Sequence, residues 1–288
     1  MYGESYITTT GSPITSSVTS NMSINASSGE YRKSTPMVIA GPCALEDETQ
    51  AEVICREVQK AGATVFRAGV YKGQNRPVVK GKPCYWGIGD VGMPILSFLQ
   101  DKYKIPCITE IQSEDQLKLA IDFKLAMLQI GARHMQNFPL IRRIASEWRN
   151  PIILKRGLGS TIDEWTGIAE HLSSCGNDNV ILCERGIVSF ERSNETRWRL
   201  DLLSIPQIKT DYPKNYKVLA DVSHGTGRRE LAIPMARAAI AAGADGVIVE
   251  VHTNPDESKT DARQTLDIKM FAQLVDEVKK TWDSLHSY

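Results

Sequence analysis

Met37-Val38-Ile39-Ala40-Gly41-Pro42-Cys43-Ala44 is the stretch that separates two architectures. The run Met37–Pro42 is short and nearly continuous in its apolar character, as expected of a parallel strand covered on both faces. It then exits into Gly41-Pro42-Cys43-Ala44 and not into a G-x-G-x-x-G turn. A doubly wound dinucleotide-binding sheet opens with that glycine turn, so its absence here counts against that fold. Working outward, similar runs recur at Thr64–Gly69, Pro106–Ile111, Met127–Arg133, Ile152–Gly157, Val180–Gly186, Lys217–Ser223 and Gly246–His252. Three- and four-residue apolar spacing follows each of them, predicting helices over Ala51–Ala61, Pro94–Lys102, Glu114–Phe123, Ile141–Trp148, Thr161–Leu172, Leu200–Leu203, Glu230–Ala242 and Leu266–Trp282. Thr161 with Glu164 has the spacing of a capping box. Eight strands, each followed by a helix, in about 250 residues fit a single (β/α)8 TIM barrel, an α/β fold. The barrel domain is assigned to residues 37–288.

The 288-residue chain carries 34 Lys+Arg and 34 Asp+Glu, a formal charge of zero. Non-specific nucleic-acid binding needs surplus positive charge, so no nucleic-acid partner is expected. No apolar run reaches the roughly 18–20 residues of a membrane helix, and no charged-then-apolar leader opens the chain. Six cysteines (Cys43, Cys55, Cys84, Cys107, Cys175 and Cys183) have no C-x-x-C or framework spacing, so reduced thiols in a cytoplasmic protein without a membrane partner are expected. Residues 1–36 are dense in Ser and Thr with almost no apolar periodicity. They read as a disordered tail that cannot bury enough surface to offset its ordering entropy.

Barrel enzymes place their chemistry at the carboxyl ends of the strands. Those ends carry Cys43; Arg67 and Lys72; Glu110; Arg133; Lys155 and Arg156; Glu184 and Arg185; His224; Glu250 and His252. Together they predict a polar, mostly cationic mouth over an apolar barrel, with compensating acids on the outer helices. Cys43, His224, Glu250 and Asp261 offer sulfur, imidazole and carboxylate donors. That set suits a divalent transition metal (manganese, iron, zinc or cobalt) better than magnesium. A buried cysteine acting as a small hydrophobe is the plain alternative for Cys43. Arg67, Lys72, Arg133, Lys155 and Arg185 suit a ligand with several anionic groups, since guanidinium forks match carboxylate and phosphate oxygens. Ion pairing of these cations with Glu110 or Glu184 is the competing structural reading.

Six motifs then appear in order: Ala40-Gly41-Pro42-Cys43; Ile130-Gly131-Ala132-Arg133 with Met135-Gln136-Asn137; Leu154-Lys155-Arg156-Gly157; Cys183-Glu184-Arg185-Gly186; Ser223-His224-Gly225-Thr226-Gly227-Arg228-Arg229; and Glu250-Val251-His252. From about residue 37 to the C-terminus the chain resembles the 3-deoxy-7-phosphoheptulonate (DAHP) synthases, in the branch close to the 3-deoxy-octulosonate 8-phosphate (KDO8P) synthases. The resemblance implies a metal-dependent condensation of phosphoenolpyruvate with a phosphorylated aldose, as in the shikimate pathway. It assigns the metal to Cys43, His224, Glu250 and Asp261, and phosphoenolpyruvate to Arg67, Lys72, Arg133, Lys155 and Arg185. Lys72 is the candidate for proton delivery to the aldehyde oxygen, with Glu110 or a metal-bound water assisting. The resemblance also implies a homo-oligomer, dimer or tetramer.

One stretch departs from the family pattern. Where the heptulonate branch reads Lys-Pro-Arg-Thr, this chain reads Lys72-Gly73-Gln74-Asn75-Arg76-Pro77. Asn75 and Arg76 resemble an element of the octulosonate branch at a longer spacing, and are the candidate acceptor-binding residues. The phosphoenolpyruvate half is therefore expected intact and the acceptor half rebuilt. Erythrose 4-phosphate, another aldehyde of specialised metabolism and arabinose 5-phosphate remain open as acceptors, with a non-catalytic phosphate- or metal-binding barrel the remote alternative.

Overall fold

The computed structural model describes residues 35–74, 77–79, 81–190, 198–212 and 214–287. The expected tail falls almost wholly outside them, as do Asn75 and Arg76. The first half of the described chain runs β1 (Met37–Gly41), α1 (Glu48–Ala61), β2 (Val65–Arg67), β3 (Val78–Val79), β4 (Lys82–Pro83), α2 (Gly92–Tyr103), β5 (Cys107–Glu110), α3 (Glu114–Asp122), β6 (Met127–Ile130) and α4 (Phe138–Glu147). The second half runs β7 (Ile152–Lys155), α5 (Ile162–Ser174), β8 (Val180–Glu184), α6 (Ser204–Asp211), β9 (Lys217–Asp221), α7 (Val222–Thr226), α8 (Arg229–Ala241), β10 (Gly246–Glu250) and α9 (Ile268–His286). Eight strands pair in parallel and close in the order β1-β10-β9-β8-β7-β6-β5-β2, the (β/α)8 barrel expected from the sequence. β3 and β4 form a separate antiparallel hairpin over the mouth, which the hydrophobic pattern did not foretell because both strands are exposed.

Strand side chains alternate between two faces. One set, including Ile39, Val65, Ile108, Met127, Ile153, Ile181, Leu219 and Ile248, fills the barrel interior. The alternate set, including Val38, Phe66, Leu128, Leu154, Leu182 and Val247, packs under the helices. Within that outer layer Trp165 is fully buried and donates its indole N–H to the Leu154 carbonyl at 3.1 Å. Burying each such large apolar side chain contributes roughly 1.5–3 kcal/mol. Local signals set the helix starts. Asp47, Ser113 and Asp267 cap α1, α3 and α9, and Thr161 with Glu164 forms the expected capping box on α5.

Three sequence expectations need correction. Leu200–Leu203 is not helical; α6 begins at Ser204. Leu200 is buried against Gly225 and the Asp201 carboxylate is engaged by Arg156, so this segment is a strap and the helix starts after it. The run Lys217–Ser223 is a strand only to Asp221, because Asp221 Oδ1 accepts the His224 N–H at 2.9 Å and starts α7. The run Met127–Arg133 leaves the sheet at Ile130, where a turn carries the His134 N–H to the Gly131 carbonyl.

Candidate active site

The interior layer becomes polar where the strands end. Counting two residues on from Val65, Ile108, Met127, Ile153, Cys183, Leu219 and Ile248 gives Arg67, Glu110, Gln129, Lys155, Arg185, Asp221 and Glu250. The same period that builds the apolar plug therefore lays a polar ring on top of it. The ring floors a cavity of about 770 Å³, which Arg67, Lys72, Glu110, Arg133, Lys155, Arg185, His224 and Asp261 all line. The five sequence-predicted cations thus meet in one space. Arg67, Lys155 and Arg185 are buried, whereas Arg133 is exposed at the edge.

Buried acids inside the ring temper the cationic character expected from sequence. Arg67 Nη1 donates to Glu250 Oε1 at 2.9 Å, and Lys155 Nζ to Asp221 Oδ2 at 2.6 Å. Part of the compensation therefore lies within the mouth, in addition to the acids on the outer helices. Each cation keeps further donors for an anionic ligand after its one carboxylate contact. Glu184 points the other way: with Asp201 it binds Arg156, outside the barrel and apart from the five cations.

Glu110 lies over Gly131, whose absent side chain is a requirement: a Cβ there would sit 2.2 Å from Glu110 Oε1. Burial raises the Glu110 pKa, but His134, Lys72 and Lys155 outweigh it and bring it down to about 2. Glu110 is therefore a carboxylate at neutral pH. His134, which the sequence reading passed over, lies with Nδ1 3.6 Å from Glu110 Oε1.

Cys43, His224, Glu250 and Asp261 each bring one donor atom to within 4.8 Å of all the others. Cys43 Sγ is 3.2 Å from Asp261 Oδ2, and His224 Nε2 is 3.4 Å from Glu250 Oε1 and 3.7 Å from Asp261 Oδ2. These residues come from the loop after β1, from α7, from β10 and from the loop after β10. Asp261 holds a left-handed backbone (φ 51°), a conformation Asp tolerates better than most residues. The set fits a transition metal on three physical counts. Asp221 Oδ2 contacts His224 Nδ1 at 2.9 Å, which turns Nε2 toward the other donors in the carboxylate–histidine arrangement of metal sites. Burial lowers the His224 pKa against the pull of Asp221 and Glu250, favouring the neutral, ligating imidazole. Burial and the Glu250 carboxylate push the Cys43 thiol well up, so a thiolate here requires a cation beside it. Lys72 Nζ stands 3.0 Å from the sulfur and joins this cluster to the cation group. Gln264 and Ser223, bonded to Glu250, complete its support.

Sequence reasoning missed Asp221, Gln129 and Gln264. Asp221 and Gln129 lie on the two-residue step from Leu219 and Met127, but that step is readable only once the inward face is known. Gln264 sits in a loop where no period applies.

The family model of the DAHP synthetase I family matches residues 20–286. The phospho-2-dehydro-3-deoxyheptonate aldolase of Thermotoga maritima is 40% identical over 248 residues, 86% of this chain and 70% of that protein. A 2-dehydro-3-deoxyphosphooctonate aldolase of a Geobacter species is 30% identical, over 84% of this chain and 90% of the relative. The crystal structure of the Thermotoga maritima DAHP synthase superposes with a TM-score of 0.80 at 39% identity, covering 87% of this chain and 70% of that one. Its truncated form gives 0.77 at 38% identity, covering 87% and 88%. No helix among the described residues is long and apolar enough to cross a membrane. A closed barrel whose polar ring floors one cavity, with a four-donor cluster at its side, thus sits in a chain alike in sequence and structure to these aldolases, and the chain is an enzyme of the DAHP synthetase I family.

Proposed function

We propose that the enzyme condenses phosphoenolpyruvate with erythrose 4-phosphate, using a divalent transition metal held by Cys43, His224, Glu250 and Asp261. The observation that carries this reading is the four-donor cluster opening onto the same cavity as five cations. The greater identity to the heptonate aldolase (40%) than to the octonate aldolase (30%) favours the four-carbon acceptor.

Arg67, Lys155 and Arg185, with Arg133 at the edge, bind the carboxylate and phosphate of phosphoenolpyruvate and hold its enol carbon toward the aldehyde. When bound, the metal supplies Lewis-acid polarisation of the aldehyde oxygen. The C3 electron pair of phosphoenolpyruvate forms the new bond to the aldehyde carbon, and the carbonyl pair moves to oxygen. Lys72 protonates that oxygen. Glu110, ionised at neutral pH, faces the electron-poor C2 and stabilises it before taking a proton from the water that adds there. The C2–O bond to phosphorus-bearing oxygen then breaks, inorganic phosphate leaves and the ketone forms. Atoms balance: phosphoenolpyruvate, aldose phosphate and water give the 3-deoxy-2-ulosonate phosphate and phosphate.

Phosphate release from phosphoenolpyruvate with manganese and each candidate aldose phosphate tests this reading. Release with erythrose 4-phosphate alone supports it. Release only with arabinose 5-phosphate moves the acceptor, and no release with any aldehyde favours a binding protein.

A further inference from the structure

The acceptor's own phosphate needs a second place to bind, because the strand-borne cations are engaged by phosphoenolpyruvate in the reading above. The Pro-Arg-Thr element that would serve it is absent from this sequence. Among the described residues, which do not include Asn75 and Arg76, the cavity carries two further cations, and neither comes from a barrel strand. Lys82 belongs to β4 of the mouth hairpin, and Lys259 to the loop between β10 and α9. Lys82 makes no ion pair with an acid among the described residues. Lys259 Nζ has only a distant carboxylate, Glu46 Oε2 at 3.8 Å, and is 49% exposed.

Tyr85 ties the segment after β4 to the loops that follow β1 and β2, and its ring meets Lys259. Its hydroxyl donates to the Leu45 carbonyl at 2.8 Å, its carbonyl accepts from Gln74 Nε2 at 2.9 Å, and Lys259 Nζ sits 4.8 Å from its ring centre. Beside Lys259, Thr260 lines the cavity at 8% exposure, and its buried hydroxyl has no hydrogen-bond partner among the described residues. An unsatisfied buried hydroxyl is costly, and its hydrogen is free to turn toward an acceptor that reaches it. Two lysines lining one cavity, with an unpartnered hydroxyl beside one of them, suit an anion of high charge density. We propose that Lys82, Lys259 and Thr260 form a second anion subsite, at the cavity rim, that takes the terminal phosphate of the aldose.

This inference rests on the function proposed above and deepens it. Position supports it. Lys259 and Asp261 are two residues apart, so their Cα atoms lie within about 7 Å. The loop that supplies Asp261 to the four-donor cluster therefore also supplies Lys259 and Thr260 to the same cavity.

Lys82→Gln, Lys259→Gln and the near-isosteric Thr260→Val test the subsite in the full-length metal-loaded enzyme, each with erythrose 4-phosphate and with erythrose. The selectivity for the phosphorylated over the unphosphorylated sugar should fall about 10-fold or more in Lys259→Gln, and less in the other two. The Michaelis constant for phosphoenolpyruvate should move less than that for the aldose phosphate. Calorimetric titration of erythrose 4-phosphate into wild type and variants should show the same weakening without turnover. Unchanged selectivity and unchanged binding in all three variants would overturn the subsite. Binding that weakens in the variants while wild type releases no phosphate would instead uphold the subsite and overturn the reaction proposed above.

Discussion

Lys155 and Arg156 are neighbours, as are Glu184 and Arg185, yet each pair is split between two fates. Lys155 and Arg185 line the cavity, while Arg156 and Glu184 bind each other beneath the strap that carries Asp201. All four side chains are buried and charged, and the strand's two-residue period alone separates them. On the inner face an ion pair keeps a donor aimed at open space. On the outer face Arg156 Nη1 meets both Glu184 and Asp201, Nε meets the Ser160 carbonyl, and the Glu184 carboxylate also accepts the Gly186 N–H. The inner charges remain available to a ligand, whereas the outer ones are used up in fastening a loop to the barrel. Residue type and motif position do not distinguish these roles; the face does.

The sharpest way to break the contrast is to remove one member of each pair. Arg156→Met leaves Glu184 buried without its cation and should cost about 3–5 kcal/mol of stability. It should leave the Michaelis constant for phosphoenolpyruvate near wild type in the protein that folds. Denaturant unfolding with steady-state kinetics checks both, and a large change in that constant would place Arg156 in the site. Lys155→Gln retains a donor toward Asp221, so its stability loss should be smaller, but kcat/KM should fall about 10²–10³-fold. Next in size, Asp221→Asn withdraws the carboxylate that orients His224 and should weaken metal affinity about 10–100-fold. Competition with a chelating dye measures it, and unchanged affinity would detach Asp221 from the metal cluster.

The smallest effect concerns pH. The folded Glu110 pKa of about 2 lies below its ordinary 4.5. The stabilisation from its ionised form is complete above the higher value and is lost as pH falls through the lower one. The stability gap between wild type and Glu110→Gln should therefore shrink on acidification from about pH 5. A gap that stays constant down to the acid transition would show that Glu110 is not held ionised by His134, Lys72 and Lys155.

Much of this was legible in the sequence, and the reasons differ by element. The eight barrel strands are buried on both faces, so their apolar runs stand out, and the absent glycine turn after Gly41 removed the rival sheet. Cys43, His224, Glu250 and the five cations were visible at or just beyond the strand ends, and Asp261 as a carboxylate in the loop after the last strand. Three things were not. Which member of Lys155-Arg156 faces inward depends on register, which a continuous apolar run leaves unmarked. Asp221 was hidden by the next residue of interest, His224, because the strand stops short to begin α7. The hairpin of Val78–Val79 with Lys82–Pro83 has no buried face, so hydrophobic patterning had nothing to report.

In the proposed reaction the four-donor cluster holds a metal on which the condensation depends. Titration of chelator-treated protein with cobalt(II) tests it most directly, following cobalt–thiolate charge-transfer absorption and phosphate release from phosphoenolpyruvate with erythrose 4-phosphate in the same samples. Both should rise together and saturate at one ion per chain, and both should be lost in Cys43→Ala. Full turnover by the chelator-treated protein, or by Cys43→Ala with no charge-transfer band, would contradict it.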